Sequence, residues 1–167
     1  MNTRIITISV LIAGYLAHVA ACIDGSGANN TSKISRVDTA IYTVLPYDST
    51  AMLAMSWYYK DARPATLTPA EVDSLEHIVD SAYRSFTKDS TVYLHNLMPL
   101  GAYRRQYVAV LTTNGEKEVW VNFLCADLNG DWRHFALSVD DGGKCFFELF
   151  INVTRQRAYK LIPGGYA

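Results

Sequence analysis

Three functional classes are thinly supported by what this chain lacks. It has no run of like charge and a formal net charge of −1, with 15 basic and 16 acidic residues, so nothing marks a nucleic-acid footprint. It has no Gly-x-Ser-x-Gly elbow, no phosphate loop and no dinucleotide fingerprint. Its longest apolar run, from Ile5 to Val19, falls short of the roughly 20 residues that span a bilayer. Cysteine is scarce and odd in number, at three. There is no internal repeat. What is abundant is apolar surface: half of the 167 residues are hydrophobic and 11 are Tyr, enough for a real core.

The N-terminus reads as an export signal. Arg4 supplies a basic start, the apolar run follows, and the small residues Ala20 and Ala21 lead into Cys22. A basic n-region, an apolar stretch of roughly 7–15 residues and a small-residue exit describe a cleavable secretory signal, here residues 1–21. Val19-Ala20-Ala21-Cys22 resembles the lipobox of bacterial lipoproteins. That resemblance implies a diacylglyceryl group on the Cys22 thiol and a membrane anchor in the cell envelope. The odd cysteine count agrees, because an unpaired thiol is unusual in an exported protein. Ile23 after the cysteine, where an Asp would resemble an inner-membrane retention signal, favours the outer membrane. Residues 22–36, with Asp-Gly-Ser-Gly-Ala-Asn-Asn-Thr-Ser, read as a polar tether. Residues 37–167 then form one domain.

Within that domain the clearest local signal is Thr68-Pro69-Ala70-Glu71. Thr68 is placed to cap a helix, Pro69 fits the first helical position, and Glu71 completes a capping box. Val72, Leu75, Val79, Ala82, Tyr83 and Phe86 recur at steps of three and four, which predicts an amphipathic helix of about 18 residues. Asp73, Glu76, Asp80 and Arg84 mark its expected wet side.

Asn114-Gly115 predicts a two-residue type I′ hairpin between Tyr107–Thr112 and Lys117–Cys125. That turn would set Val110 opposite Val119 and Val108 opposite Val121, giving one face with Val108, Val110, Val119, Val121 and Phe123. The other face would carry Tyr107, Leu111, Trp120 and Leu124. A third strand, Cys145–Val153, and a fourth, Ala158–Ile162, complete a four-stranded antiparallel meander behind one helix. The expected class is α+β, and the element order resembles cystatin-like and PepSY-like folds. Residues 37–64 form an extra N-terminal layer, with Ile41, Tyr42, Val44 and Leu45 as a strand and Met55, Trp57, Tyr58 and Tyr59 as a further buried piece.

With Cys22 lipidated, Cys125 and Cys145 remain as a pair. Placing 125 opposite 145 brings Phe123 against Phe147, Val121 against Leu149 and Val119 against Ile151, so apolar faces coincide at every step. Residues 126–144 must then be an excursion. As a full intervening strand, Trp132–Val139 would hold the thiols roughly 25 Å apart at about 3.3 Å per residue.

The C-terminal half also resembles a family of small uncharacterised bacterial lipoproteins. The resemblance rests on Arg105-Gln106-Tyr107-Val108, Gly115-Glu116-Lys117-Glu118-Val119-Trp120-Val121-Asn122 and Asp140-Asp141-Gly142-Gly143-Lys144-Cys145-Phe146-Phe147, with Ile151-Asn152-Val153-Thr154 and the terminal Gly165-Tyr166-Ala167. The chain departs from that family at Phe123, where members often carry a Cys. The resemblance implies an address and no activity.

Few residues invite chemistry. His77 falls on the helix near its polar side, and His95 and His134 lie in loops without a partner at triad or metal spacing. Asp127-Leu128-Asn129-Gly130-Asp131 starts like a calcium loop but has Trp132 and Ser138 where Gly and Glu are required. Asp140-Asp141-Gly142-Gly143 reads first as a turn, and otherwise as two carboxylates aimed into a site. No cofactor or metal is expected. The leading expectation is a non-enzymatic envelope module that binds another envelope or secreted protein, for instance as an inhibitor of a secreted hydrolase. The rival is a hydrolase built around Asp140, Asp141 and His134. Either the N-terminal layer folds over the sheet's second face, or that face docks a partner through Trp120, Trp132, Phe146 and Phe150.

Overall fold

A computed structural model describes residues 40–48, 51, 55, 57–88, 97–126 and 131–165. The signal, Cys22, the tether, His95 and most of the calcium-like loop lie outside the described residues. The helix begins where the capping box places it. The Thr68 backbone N–H donates to Glu71 Oε2 at 2.8 Å, and the Glu71 N–H donates back to Thr68 Oγ1 at 3.2 Å. Helix α1 then runs Pro69–Lys88. It buries Val72, Leu75 and Val79 against the sheet. Lys117 Nζ pairs with Glu71 at 2.6 Å and ties the first helical turn to the sheet.

The sheet has six strands: β1 Tyr42–Leu45, β2 Arg63–Pro64, β3 Tyr103–Leu111, β4 Lys117–Cys125, β5 Phe146–Asn152 and β6 Arg157–Pro163. The spatial order is β1-β3-β4-β5-β6, with β2 also on β3. β1 runs parallel to β3, with Thr43 opposite Gln106, and β2 pairs antiparallel beyond it, with Arg63 opposite Leu111. The architecture is therefore, among the described residues, one long helix on a mixed sheet. It is α+β as expected, but the sheet is not limited to four strands. The N-terminal segment has added itself to the free edge of β3, which otherwise would present unpaired backbone groups.

The β3–β4 register corrects the expected hairpin. Ala109 lies opposite Val119 and Val110 opposite Glu118, one residue from the type I′ prediction. The Gly115 N–H bonds to the Thr112 carbonyl at 3.0 Å, and the Thr112 N–H to the Glu116 carbonyl at 2.9 Å. Gly115 adopts φ +82° while Asn114 stays at negative φ. This is a three-residue loop ending in a glycine bulge, the next most common way to close a hairpin. The one-residue slip turns every side chain of β3 over. Tyr107 and Ala109 join Val119, Val121, Phe123 and Leu149 beneath the helix, while Val108 and Val110 go to the opposite face with Trp120.

Between β4 and β5 the expected pairing holds: Phe123 meets Phe147, Val121 meets Leu149 and Val119 meets Ile151. Cys125 and Cys145 form a disulfide with Cα atoms 4.8 Å apart. One further reading changes. Glu76, expected on the wet side, is half-buried; it pairs with buried Arg105 at 3.4 Å and accepts a hydrogen bond from the Tyr107 hydroxyl.

Candidate functional site

The second face of the sheet is covered. Leu45, Tyr47, Ala51, Met55 and Tyr59 pack over Val108, Val110, Trp120 and Phe150 to make a second core. Trp120 is completely buried and Phe150 nearly so, which makes both residues core, not an exposed docking face. Trp132 is also buried, with the guanidinium carbons of Arg133 and Arg104 at 4.4 and 5.2 Å from its ring centre. Of the four residues considered for a partner surface, Phe146 alone lines an open cleft.

That cleft exists because one row of the second face is polar. Gln106, Asn122 and Glu148 stand side by side on β3, β4 and β5. The first two are buried amides and fasten the 131–137 segment to the sheet. Gln106 Nε2 donates to the carbonyls of Trp132 and Phe135, each at 2.6 Å, and its Oε1 accepts from the Leu137 N–H at 3.1 Å. Asn122 Nδ2 donates to Gln106 Oε1 at 3.0 Å and to the Leu137 carbonyl at 2.6 Å. The excursion thus crosses the face above Gln106 and Asn122. Past Leu137 a cavity of about 430 Å3 opens, with Glu148, Ser138 and Asp140 among its lining and Trp57, Tyr58 and Val139 on its walls. That volume lies in the range of small-ligand sites.

Glu148 is half-buried, and no ion pair reaches it among the described residues. Burial raises its pKa above the ordinary carboxylate value. The Trp120 indole N–H and the Lys160 ammonium draw it partly back. That indole N–H has no partner of normal hydrogen-bond geometry, so its pull on Glu148 is a loose contact. Lys160 Nζ instead lies 4.2 Å from the Tyr58 ring centre and 5.5 Å from that of Phe150. The Tyr58 hydroxyl pKa is also raised, first by burial and then by the Glu148 charge, which places phenol and carboxylate near one another.

The mouth is apolar and exposed. Trp57 is 91% exposed, Tyr58 42% and Val139 44%. Trp57 and Tyr58 were expected to be buried with Met55 and Tyr59; the chain turns at residues 57–58, and both rings are left exposed. The far wall is the C-terminal Gly164-Gly165, which clasps the Asp140–Gly143 turn through Gly143 N–H to the Gly165 carbonyl at 2.9 Å. A Cβ on Gly165 would stand 2.5 Å from the Asp140 carbonyl oxygen, so only glycine allows this approach.

The residues of the rival hydrolase reading are dispersed. His134 Nδ1 contacts Asp131, and both side chains are exposed. Asp140 lines the cleft, whereas His134 is not part of that lining. Asp141 is exposed and is not part of the lining, though its Oδ1 would lie 3.3 Å from a Cβ on Gly165 in the far wall. His77 is exposed on α1. Among the described residues no group of three His, Cys, Asp or Glu is placed to hold a metal ion, and no helix is long and apolar enough to cross a membrane.

Sequence reasoning missed Glu148, Asn122 and Gln106. The available signal was their place in strands whose same-face neighbours are large and apolar: Phe146 and Phe150 flank Glu148, and Trp120 and Leu124 flank Asn122. A polar residue inside such a set needs an internal partner or an opening to water. No family model matches the chain, and neither a curated protein nor a solved structure does so.

Proposed function

We propose that this chain is an exported lipoprotein of the bacterial cell envelope, anchored through Cys22, and that its domain is a non-enzymatic binding module that holds a partner at the Trp57 cleft. One observation carries the binding reading. On a second face otherwise covered by the N-terminal layer and the 131–137 segment, an indole 91% exposed stands at the mouth of a cleft with a half-buried carboxylate inside. A large aromatic left in water beside a concave polar site is the usual anchor of a recognition surface. The tether of residues 22–36 gives such a module reach from a membrane surface. A hydrolase reading draws less support, because His134 is engaged with Asp131 and lies off the cleft.

Two measurements test this. Labelling cells with a fatty-acid analogue is expected to mark the wild-type protein and leave Cys22→Ala unmarked. A labelled Cys22→Ala protein refutes the anchor. For the cleft, Trp57→Ala is expected to keep the melting temperature within about 1–2 °C of wild type, as an exposed substitution should. The same change is expected to abolish stoichiometric capture of a partner from detergent-solubilised envelopes. Undiminished capture moves the binding surface elsewhere.

A further inference from the structure

The cleft's chemistry narrows what it holds. This deepens the binding-module reading and rests on it. We propose that the Trp57 cleft is a receptor for a cationic side chain, a lysine or arginine presented by the partner polypeptide, with the charge set against Glu148 and Asp140 and the alkyl stem packed on Trp57 and Tyr58.

Three features point the same way. First, among the described residues the lining has Glu148 and Asp140 as its acids and no basic residue. Glu148 is half-buried and makes no ion pair among the described residues, Lys160 acting on it only through space, so a cation entering the cleft would add a charge-assisted hydrogen bond. Second, the walls are aromatic. Ring faces attract ammonium and guanidinium groups, and their edges cover the methylene stem. Third, the domain already shows this preference internally: Lys160 Nζ rests 4.2 Å from the Tyr58 ring centre, close enough to Glu148 to lower its pKa but not to pair with it. Among the described lining residues an anionic ligand would meet two carboxylates and no cation, Lys160 lying outside the lining. A purely apolar one would leave Glu148 buried further and unpaired, which costs free energy.

Glu148 also makes the idea separable from a structural role. Its pKa is raised in the fold, so the folded state disfavours the ionised form. That penalty is present in full above the folded pKa and is relieved as pH falls towards the unfolded value. Glu148→Gln removes the charge, so it is expected to raise the melting temperature at neutral pH, with the gain shrinking as acid protonates the wild type. A residue kept only for stability would not behave so.

The test uses the full-length lipidated protein in detergent, titrated with N-acetyl-lysine methylamide, its uncharged norleucine counterpart and its glutamate counterpart. Binding is read from the Trp57 indole NMR resonance, assigned with Trp57→Phe. The lysine probe is expected to saturate and to bind about tenfold or more tighter than the other two. Glu148→Gln is expected to lower its affinity about tenfold while raising the melting temperature. Affinity is also expected to fall as pH drops through the raised Glu148 titration, and to weaken with salt. Equal binding of the norleucine probe, or an unchanged lysine affinity in Glu148→Gln, overturns the cation inference. If no probe binds while Trp57-dependent partner capture persists, the cation inference fails and the binding-module reading survives. If the lysine probe binds and no partner is captured, the cleft's preference for a cation stands while its presentation by a partner polypeptide fails.

Discussion

Trp120→Ala is expected to destabilise the domain by about 3–5 kcal/mol, the range for truncating a large buried aromatic. Trp120 is fully buried, and its strand neighbours in register are Val108 on β3 and Phe150 on β5. The N-terminal residues Leu45, Tyr47, Met55 and Tyr59 close over the same cluster. Removing the indole leaves a cavity that two layers would have to collapse to fill, and β1 is held in place by its parallel ladder to β3. The cost therefore falls on the joint between sheet and N-terminal layer. Urea unfolding checks it: the midpoint should drop with little change in slope. A loss below about 1 kcal/mol would mean that the layer does not pack as described. Trp120→Phe is the informative partner variant. It keeps most of the packing and removes an indole N–H that has no well-formed hydrogen bond, so it should cost far less than the alanine.

How legible this arrangement was in the sequence depended on whether a feature was local. The helix was readable because its start is encoded in four adjacent residues, Thr68 to Glu71, and its core stripe in a simple spacing. The β4–β5 register was readable because an alternating run and a cysteine pair had to agree on both strands, and only one register satisfied both. The β3–β4 register was not. Asn-Gly serves equally as the two central residues of a type I′ turn or as the end of a three-residue loop with glycine at positive φ. Thr112 decides between them here: its Oγ1 bonds the Glu116 carbonyl at 2.9 Å and accepts from the Glu116 N–H at 3.2 Å, stabilising the wider loop. Both faces of β3 are apolar, with Tyr107 and Ala109 on one and Val108 and Val110 on the other, so composition could not expose the slip.

The cleft was less legible still. It is made by residues far apart in the chain, from Trp57 to Gly165, and by a row of polar side chains that becomes a row only once three strands are aligned. Gln106 and Asn122 read singly as ordinary polar residues in strands. Their function is to satisfy the backbone of the 131–137 segment, a role that no local pattern announces. Trp57 was misplaced for a related reason. Met55 and Tyr59 are buried on either side of it, and hydrophobicity alone does not reveal which residue of such a cluster the turn throws outward.

Replacing both Cys125 and Cys145 by Ala is expected to cost about 3 kcal/mol, from the loop-closure entropy of a cross-link at a sequence separation of 20. The bond joins the end of β4 to the residue preceding β5, so it closes the 126–144 excursion at its base. Two other devices hold the same excursion: the Gln106 and Asn122 amides across its middle, and the Gly143–Gly165 hydrogen bond at its exit. Losing the disulfide should therefore lower global stability without releasing the 131–137 segment in the native state. Hydrogen exchange separates the two. Protection of the Leu137 N–H, which is bonded to Gln106 Oε1 at 3.1 Å, should fall only as far as the global unfolding free energy falls. A selective loss there would show that the disulfide, not the amide row, positions the cleft. The double Cys125→Ala/Cys145→Ala variant is preferable to either single change, because one leftover thiol invites mispairing. Disulfides persist in oxidising compartments, so this cross-link agrees with the export proposed above.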